Sequence, residues 1–150
     1  MISITEILKS NLNKTKKGII ANHIAAGQMT SGKTSKMLEV ENVNIAGGQL
    51  TGWKYSMVWE TGRKPGKMPP IAGLKSWVEL KLGLSGAEAL GMAWGIAKKI
   101  SQEGTKLHQS GGRKDIITNE VTKLADNLAK DLGNILTEQL VNPSYNGGNN

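Results

Sequence analysis

A chain of 150 residues is the size of one domain and long enough to bury a core unaided. It has no cysteine, which excludes disulfides, thiolate metal sites and cysteine nucleophiles; His23 and His108, its two histidines, leave little for a histidine metal centre. The net charge of +7 suits an anionic partner, but only Arg63 and Arg113 are arginines, so lysine surface or diffuse phosphate attraction is expected rather than bidentate base reading.

No stretch approaches the roughly 18 apolar residues of a membrane span. The first residues lack the basic-then-apolar pattern of a secretory signal. Ser3 and Glu6 form a capping box. Ile4, Ile7, Leu8, Leu12, Ile19, Ile20 and Ile24 follow at helical spacing and predict one long amphipathic helix ending near Gly27. Residues 28–36, rich in Ser, Thr, Gly and Lys, read as a loop or a single helical turn. Leu38, Val40, Val43 and Ile45 predict a strand over 37–45, with a bulge where the alternation changes phase at Asn42. Gly47-Gly48 signals the hairpin turn. Residues 50–59, with Trp53, Tyr55, Val58 and Trp59, are the expected partner strand.

Residues 61–70 (TGRKPGKMPP) are a basic Gly/Pro-rich loop. Pro70 is placed to open a helix marked by Ile71, Leu74, Trp77 and Val78 and closed by Gly83. A second capping box, Ser85 and Glu88, starts the next helix, carried by Leu90, Ala93, Trp94, Ala97 and Ile100 to about Gln102. Residues 104–114 read as a flexible basic loop. Residues 116–141 form a long C-terminal helix with Ile117, Val121, Leu124, Leu128, Leu132, Ile135, Leu136 and Leu140 on one face, stopped by Asn142-Pro143. The polar tail 143–150 is expected to be disordered. The sum is one α+β domain over 1–142: a small antiparallel hairpin packed against long N- and C-terminal helices and two central helices, with no internal repeat.

The sharpest motif is Gly27 to Thr34, which fits G-x-x-x-x-G-K-[ST] through Gly27, Gly32, Lys33 and Thr34. In a P-loop the backbone amides cradle phosphates, Lys33 reaches the outer ones and Thr34 holds Mg²⁺. That loop must follow a buried strand and open a helix. Here a helical pattern precedes it and a strand follows within a few residues, and no aliphatic strand ends in the Asp that Mg²⁺ requires. The plainer reading is a helix-ending glycine and a lysine-bearing loop.

Glu60, beside Trp59, could act as an acid or base if its pKa were raised. The alternative is a carboxylate that pairs with a basic neighbour or caps a turn. His108 is expected to be solvated. Trp53, Trp59, Trp77 and Trp94 could stack nucleic-acid bases, but each falls on an element that needs core material, which assigns most of them to the core.

Residues 58–70 read VWETGRKPGKMPP. They are followed by Leu74, Trp77 and Lys81-Leu82-Gly83, then by Ala93, Ile96-Ala97-Lys98-Lys99-Ile100, Glu103 and Gly104-Thr105. As an ordered set these resemble the small head–tail joining proteins of long-tailed phages, called neck, tail-completion or minor tail proteins. The order of the flanking elements agrees, and Gly32-Lys33 falls where that family carries a short Ser/Gly/Lys segment, so the resemblance spans most of 1–141. It implies a structural virion protein of the head–tail interface, made in the host cytoplasm and without catalysis, cofactor, metal or membrane. Copies would form a ring between the portal side of the capsid and the tail, meeting neighbouring connector and tail proteins while DNA passes through. Implied interface and motif positions are Trp59, Glu60, Gly62, Arg63, Lys64, Pro65, Gly66, Met68 and Pro69. Two rival readings stand beside it: a P-loop nucleotide-binding protein using residues 27–34, and a small basic nucleic-acid-binding protein acting through lysine patches.

Overall fold

The computed structural model describes residues 2–141. Helix α1 (Ile4–Ala25) starts at the expected capping box: the Glu6 N–H donates to Ser3 Oγ at 3.2 Å, and the Ser3 N–H donates to Glu6 Oε2 at 2.7 Å. Its buried stripe is Ile7, Asn11, Leu12, Thr15, Ile19 and His23, in steps of one, three and four. A single turn, α2 (Lys33–Lys36), leads to strands β1 (Glu39–Asn44) and β2 (Gly47–Thr51). The remaining helices are α3 (Val58–Thr61), α4 (Ile71–Leu82), α5 (Gly86–Glu103), α6 (Lys106–Gln109) and α7 (Thr118–Val141). The fold is α+β, as expected, with a two-stranded antiparallel hairpin among long helices.

Helix α1 is the central element. The hairpin lies on it, and α7 runs antiparallel along it. The α1–α7 seam is polar as well as apolar: Asn11 Nδ2 donates to Asp131 Oδ2 at 2.9 Å, and Asn22 Nδ2 donates to Glu120 Oε1 at 3.2 Å. Gly18 is required there, because any Cβ would run into the Glu120 carboxylate. The core joins Ile19, Leu38 and Ile116, with Ile20, Leu50, Trp59 and Ile117 packed around them. Helices α4 and α5 pack on each other through Val78, Ala89, Ala93 and Ala97, all fully buried.

Ser85 stands at the N-cap of α5 without making the expected capping-box bond, and four further expectations need correction. The partner strand stops at Thr51 instead of reaching Trp59, because residues 53–57 coil into successive turns that feed α3. The hairpin turn is centred on Ile45-Ala46, with Asn44 paired to Gly47; Asn44 Oδ1 accepts the Ala46 N–H at 2.8 Å, and Gly47-Gly48 opens the strand instead. The expected bulge is present, with Asn42 at φ 51° between Glu41 and Asn44. Third, the tryptophans are mostly not core: Trp53, Trp77 and Trp94 are 43, 39 and 52% exposed, the last two because small Ala and Val side chains already fill the α4–α5 contact. Fourth, the segment 104–114 contains α6, whose first turn is capped by Thr105 Oγ1 accepting the His108 N–H. The tail 143–150 lies outside the described residues. No helix among those described is long and apolar enough to cross a membrane.

The accessible surface is 10313 Å². A compact monomer of 16.1 kDa exposes roughly 7,400 Å². The ten residues outside the described range, even fully extended, account for about 1,500 Å². The described residues, about 15 kDa, would expose roughly 7,000 Å² if compact, so about 1,800 Å² of their surface exceeds that expectation.

Ile116→Ala is expected to lower unfolding stability by about 2–5 kcal/mol, since Ile116 is fully buried at the meeting point of α1, the hairpin and α7. Leu140→Ala, at a residue 80% exposed, is expected to stay within about 0.5 kcal/mol in the same urea titration. Equal losses for the two would contradict this placement of the core.

Candidate functional site

The segment 53–70 folds into two halves with different jobs. In the first, α3 delivers Trp59 and Glu60 inward. The Trp59 indole stacks on the His23 ring, with centroids 3.9 Å apart and planes 17° from parallel. His23 is buried, and its Nδ1 lies 3.4 Å from Ser35 Oγ. Burial pushes the His23 imidazole below its ordinary pKa, so it sits neutral against the indole at neutral pH. Gln28 Nε2 donates to the Trp59 carbonyl at 3.0 Å, tying the loop after α1 to the same turn.

Glu60 is buried under the start of α7. Its Oε1 accepts the N–H groups of Ile116, Ile117 and Thr118 at 3.0, 2.5 and 2.9 Å, and its Oε2 accepts the Thr118 hydroxyl at 2.5 Å. The first N–H groups of a helix have no partner within it and carry its positive dipole end, so an anion placed there is favoured twice over. Burial alone would raise the Glu60 carboxyl, but the bonds from Thr118, Ile117 and Ile116 together hold it below the usual glutamate value. Glu60 is thus an ionised cap supplied from 56 residues away, and its two oxygens are committed to that task. The capping alternative weighed from sequence is the one the fold adopts, and the raised-pKa alternative is not.

Around this cap the chain folds back on itself. The Thr105 N–H donates to the Arg63 carbonyl at 2.9 Å, and the Arg63 N–H donates to Thr105 Oγ1 at 2.9 Å. The Arg113 N–H donates to the Glu60 carbonyl at 2.8 Å, and the Gly66 N–H to the Ser101 carbonyl at 2.8 Å. Such close passage needs glycine. Gly62, at φ 66°, would drive a Cβ into the His108 backbone, and Gly112, at φ 81°, would place one 2.7 Å from the Glu60 carbonyl. An open cleft of about 590 Å³ opens onto this crossing, lined by Met57, Thr61, His108, Arg113 and Lys114 together with Glu60 and Thr118 of the cap. The Arg113 guanidinium is held by Asp115 through two bonds of 2.6 Å.

The second half turns outward. Lys64, Pro65, Gly66, Lys67 and Met68 are exposed, and the loop closes where Arg63 Nη2 donates to the Lys67 carbonyl at 3.1 Å. Pro69 is buried and returns the chain to α4. The nine positions singled out from sequence therefore separate. Trp59, Glu60, Gly62 and Pro69 are internal supports, Arg63 is a half-buried hinge, and Lys64, Pro65, Gly66 and Met68 form the accessible surface. Sequence reading missed the roles of His23 and Thr118, and took Thr105 only as the end of the motif and not as the partner of Arg63. His23 was signalled by its place on the α1 stripe, four residues after Ile19. Thr118 gave no comparable signal.

The segment 27–34 is preceded by α1 and followed by the four-residue α2, so the buried strand that a P-loop requires before its first glycine is replaced by a helix. Gly27 and Gly32 both adopt positive φ, at 67° and 72°, and Lys33 is exposed. Thr34 is half-buried in α2. Among the described residues no group of three His, Asp or Glu side chains is arranged to hold a metal ion. Comparison with protein-family models, curated proteins and solved structures gives no match.

Glu60→Ala is expected to lower stability by about 3 kcal/mol or more, because it strands several helix N–H groups in a buried place. The pH dependence has a definite sign. His23 and Glu60 both have folded pKa values below their ordinary ones, so the folded state binds fewer protons than the unfolded chain. The His23 contribution is complete above its ordinary value of 6.5 and is lost as pH falls from there toward the folded value. The Glu60 contribution is complete above its ordinary value of 4.5 and is lost at lower pH still. Melting temperature should therefore fall in two stages on acidification, and His23→Phe should remove the upper stage alone. A wild-type profile flat from pH 7 to 5 would contradict the neutral, buried His23.

Proposed function

We propose that the chain is a structural assembly protein, without catalysis, whose copies form a ring at the head–tail joint of a long-tailed phage virion. The observation that carries this reading is the surplus of exposed surface and its chemistry. Surface beyond the compact expectation is what a subunit shows when part of its packing is left to neighbours. The exposed apolar residues are large and grouped on elements: Trp77 and Leu80 on α4, Leu90 and Trp94 on α5, Leu136 and Leu140 on α7. Each pair lies three or four residues apart and so shares a helix face, and large apolar side chains grouped in the open favour contacts with other proteins. A ring requires two different faces related by a rotation that closes, and this chain presents several elements on which such faces can lie.

The motif that carries the family resemblance fits the same reading. Its inner half fastens α3 to α7 and its outer half presents a basic loop, so the geometry of the loop is set by the core and its chemistry is left free. Lysines outside any subunit contact would attract passing DNA through phosphate charge without reading sequence. The head–tail location rests on the resemblance; the surface supports assembly.

Native mass spectrometry over a range of concentrations, with and without Mg-ATP, tests the reading. A ladder ending in one closed oligomer without a nucleotide adduct is the expected result. A monomer at every concentration carrying one stoichiometric ATP would overturn it in favour of nucleotide binding through residues 27–34, and Lys33→Ala would then abolish the adduct.

A further inference from the structure

We infer that the acidic face of the β1–β2 hairpin on one copy docks on the basic 63–68 loop of the next copy. The inference rests on the ring reading and names the pair of surfaces that would close it. Between Met37 and Lys54 the chain has no basic residue, and its charges are Glu39 and Glu41, both exposed on β1. Val40, Val43 and Leu50 of the same hairpin are partly buried on the side that meets α1, so the two glutamates stand on the outer side. Between Thr61 and Pro70 the position is reversed: Arg63, Lys64 and Lys67 are present and there is no acid. The ion pairs among the described residues join Lys75 to Glu79, Arg113 to Asp115 and Lys123 to Glu120, so none uses either group. Opposite charges are sorted onto two separate elements of one chain and left unmatched within it.

Each surface also carries an exposed apolar residue. Ile45, at the hairpin turn, is 75% exposed, and Met68, at the end of the basic loop, is 39% exposed. An apolar contact ringed by complementary charge is the composition of a protein interface. Nucleic acid would satisfy the loop but would be repelled by the hairpin, whereas a second copy satisfies both at once. Because the two surfaces differ, hairpin-to-loop contact is heterologous, the kind that propagates around a ring. The loop is fit to be read by a neighbour because it is pinned at its start, where Arg63 is held by Thr105, and in its middle, where the Gly66 N–H donates to the Ser101 carbonyl.

The test uses two charge-reversed chains, Glu39→Lys with Glu41→Lys and Lys64→Glu with Lys67→Glu, whose folding is first checked by circular dichroism and melting. Assembly is read by sedimentation and native mass spectrometry at low and high salt. Each variant alone should associate at least about tenfold more weakly than wild type, and wild-type association should weaken as salt rises. An equal mixture of the two should recover assembly, because each reversed hairpin then meets a reversed loop. Wild-type assembly with both variants assembling normally would overturn the hairpin-to-loop contact and leave the ring standing. Loss in each variant without recovery on mixing would likewise overturn direct pairing. A wild-type chain that stays monomeric at every concentration would overturn the self-assembling ring and this contact together.

Discussion

The Glu60 carboxylate at the start of α7 is the interaction on which the rest of the structure depends. The chain has a small core for its length, with Ile116 and Val78 its largest fully buried side chains. Apolar packing alone therefore does little to fix where the long C-terminal helix begins. A buried anion accepting three consecutive backbone N–H groups fixes the position and direction of that helix end. It also sets where Trp59 lies, since the two residues are adjacent on one turn. Trp59 in turn covers His23 and completes the wall around Ile19 and Leu38. Removing the carboxylate would leave its donors buried and unpaired, which is a larger penalty than the loss of an ordinary surface bond.

That arrangement separates rigidity from chemistry. The inner half of the motif is spent on hydrogen bonds and stacking inside the molecule, so its residues are important without touching a partner. The outer half has few internal duties beyond the Arg63 contact to the Lys67 carbonyl. Surface-exposed aromatic and aliphatic side chains on α4, α5 and α7 give the molecule an incomplete look for a monomer. On the proposed assembly reading, contacts supplied by neighbours would account for both the modest core and the generous apolar surface.

Most of the secondary structure was legible in the sequence. The capping box at Ser3, the helix-closing Gly83 and the three-and-four spacing in α1, α5 and α7 are local signals, and the folded chain obeys them. The bulge at Asn42 was visible as a phase change in an alternating run. The end of β2 was not, because Trp53, Tyr55 and Val58 have strand-forming side chains and only the distant demand of α7 for a cap makes them coil into turns. The exposure of Trp77 and Trp94 was hidden for a related reason. Helical spacing says which residues share a face, and the alanines of α5 show only in three dimensions that the facing space is already full. That Glu60 caps was among the readings weighed from sequence, but which turn it caps lay beyond it, since its partners are 56 to 58 residues away.

The antiparallel pairing of α1 with α7 has a mechanical consequence. Asn22 lies beside Ile116, whereas Asn11 lies beside Asp131, so the start of α1 and the end of α7 share one end of the helix pair. The Glu60 cap sits at the other end, about 33 Å away along a helix of 22 residues. Tension applied to both ends of the described chain would therefore peel the two helices apart turn by turn, beginning where Leu136 and Leu140 are exposed. It would reach the capped end last. Under load the molecule would yield at the periphery before the turn that presents the basic loop is disturbed.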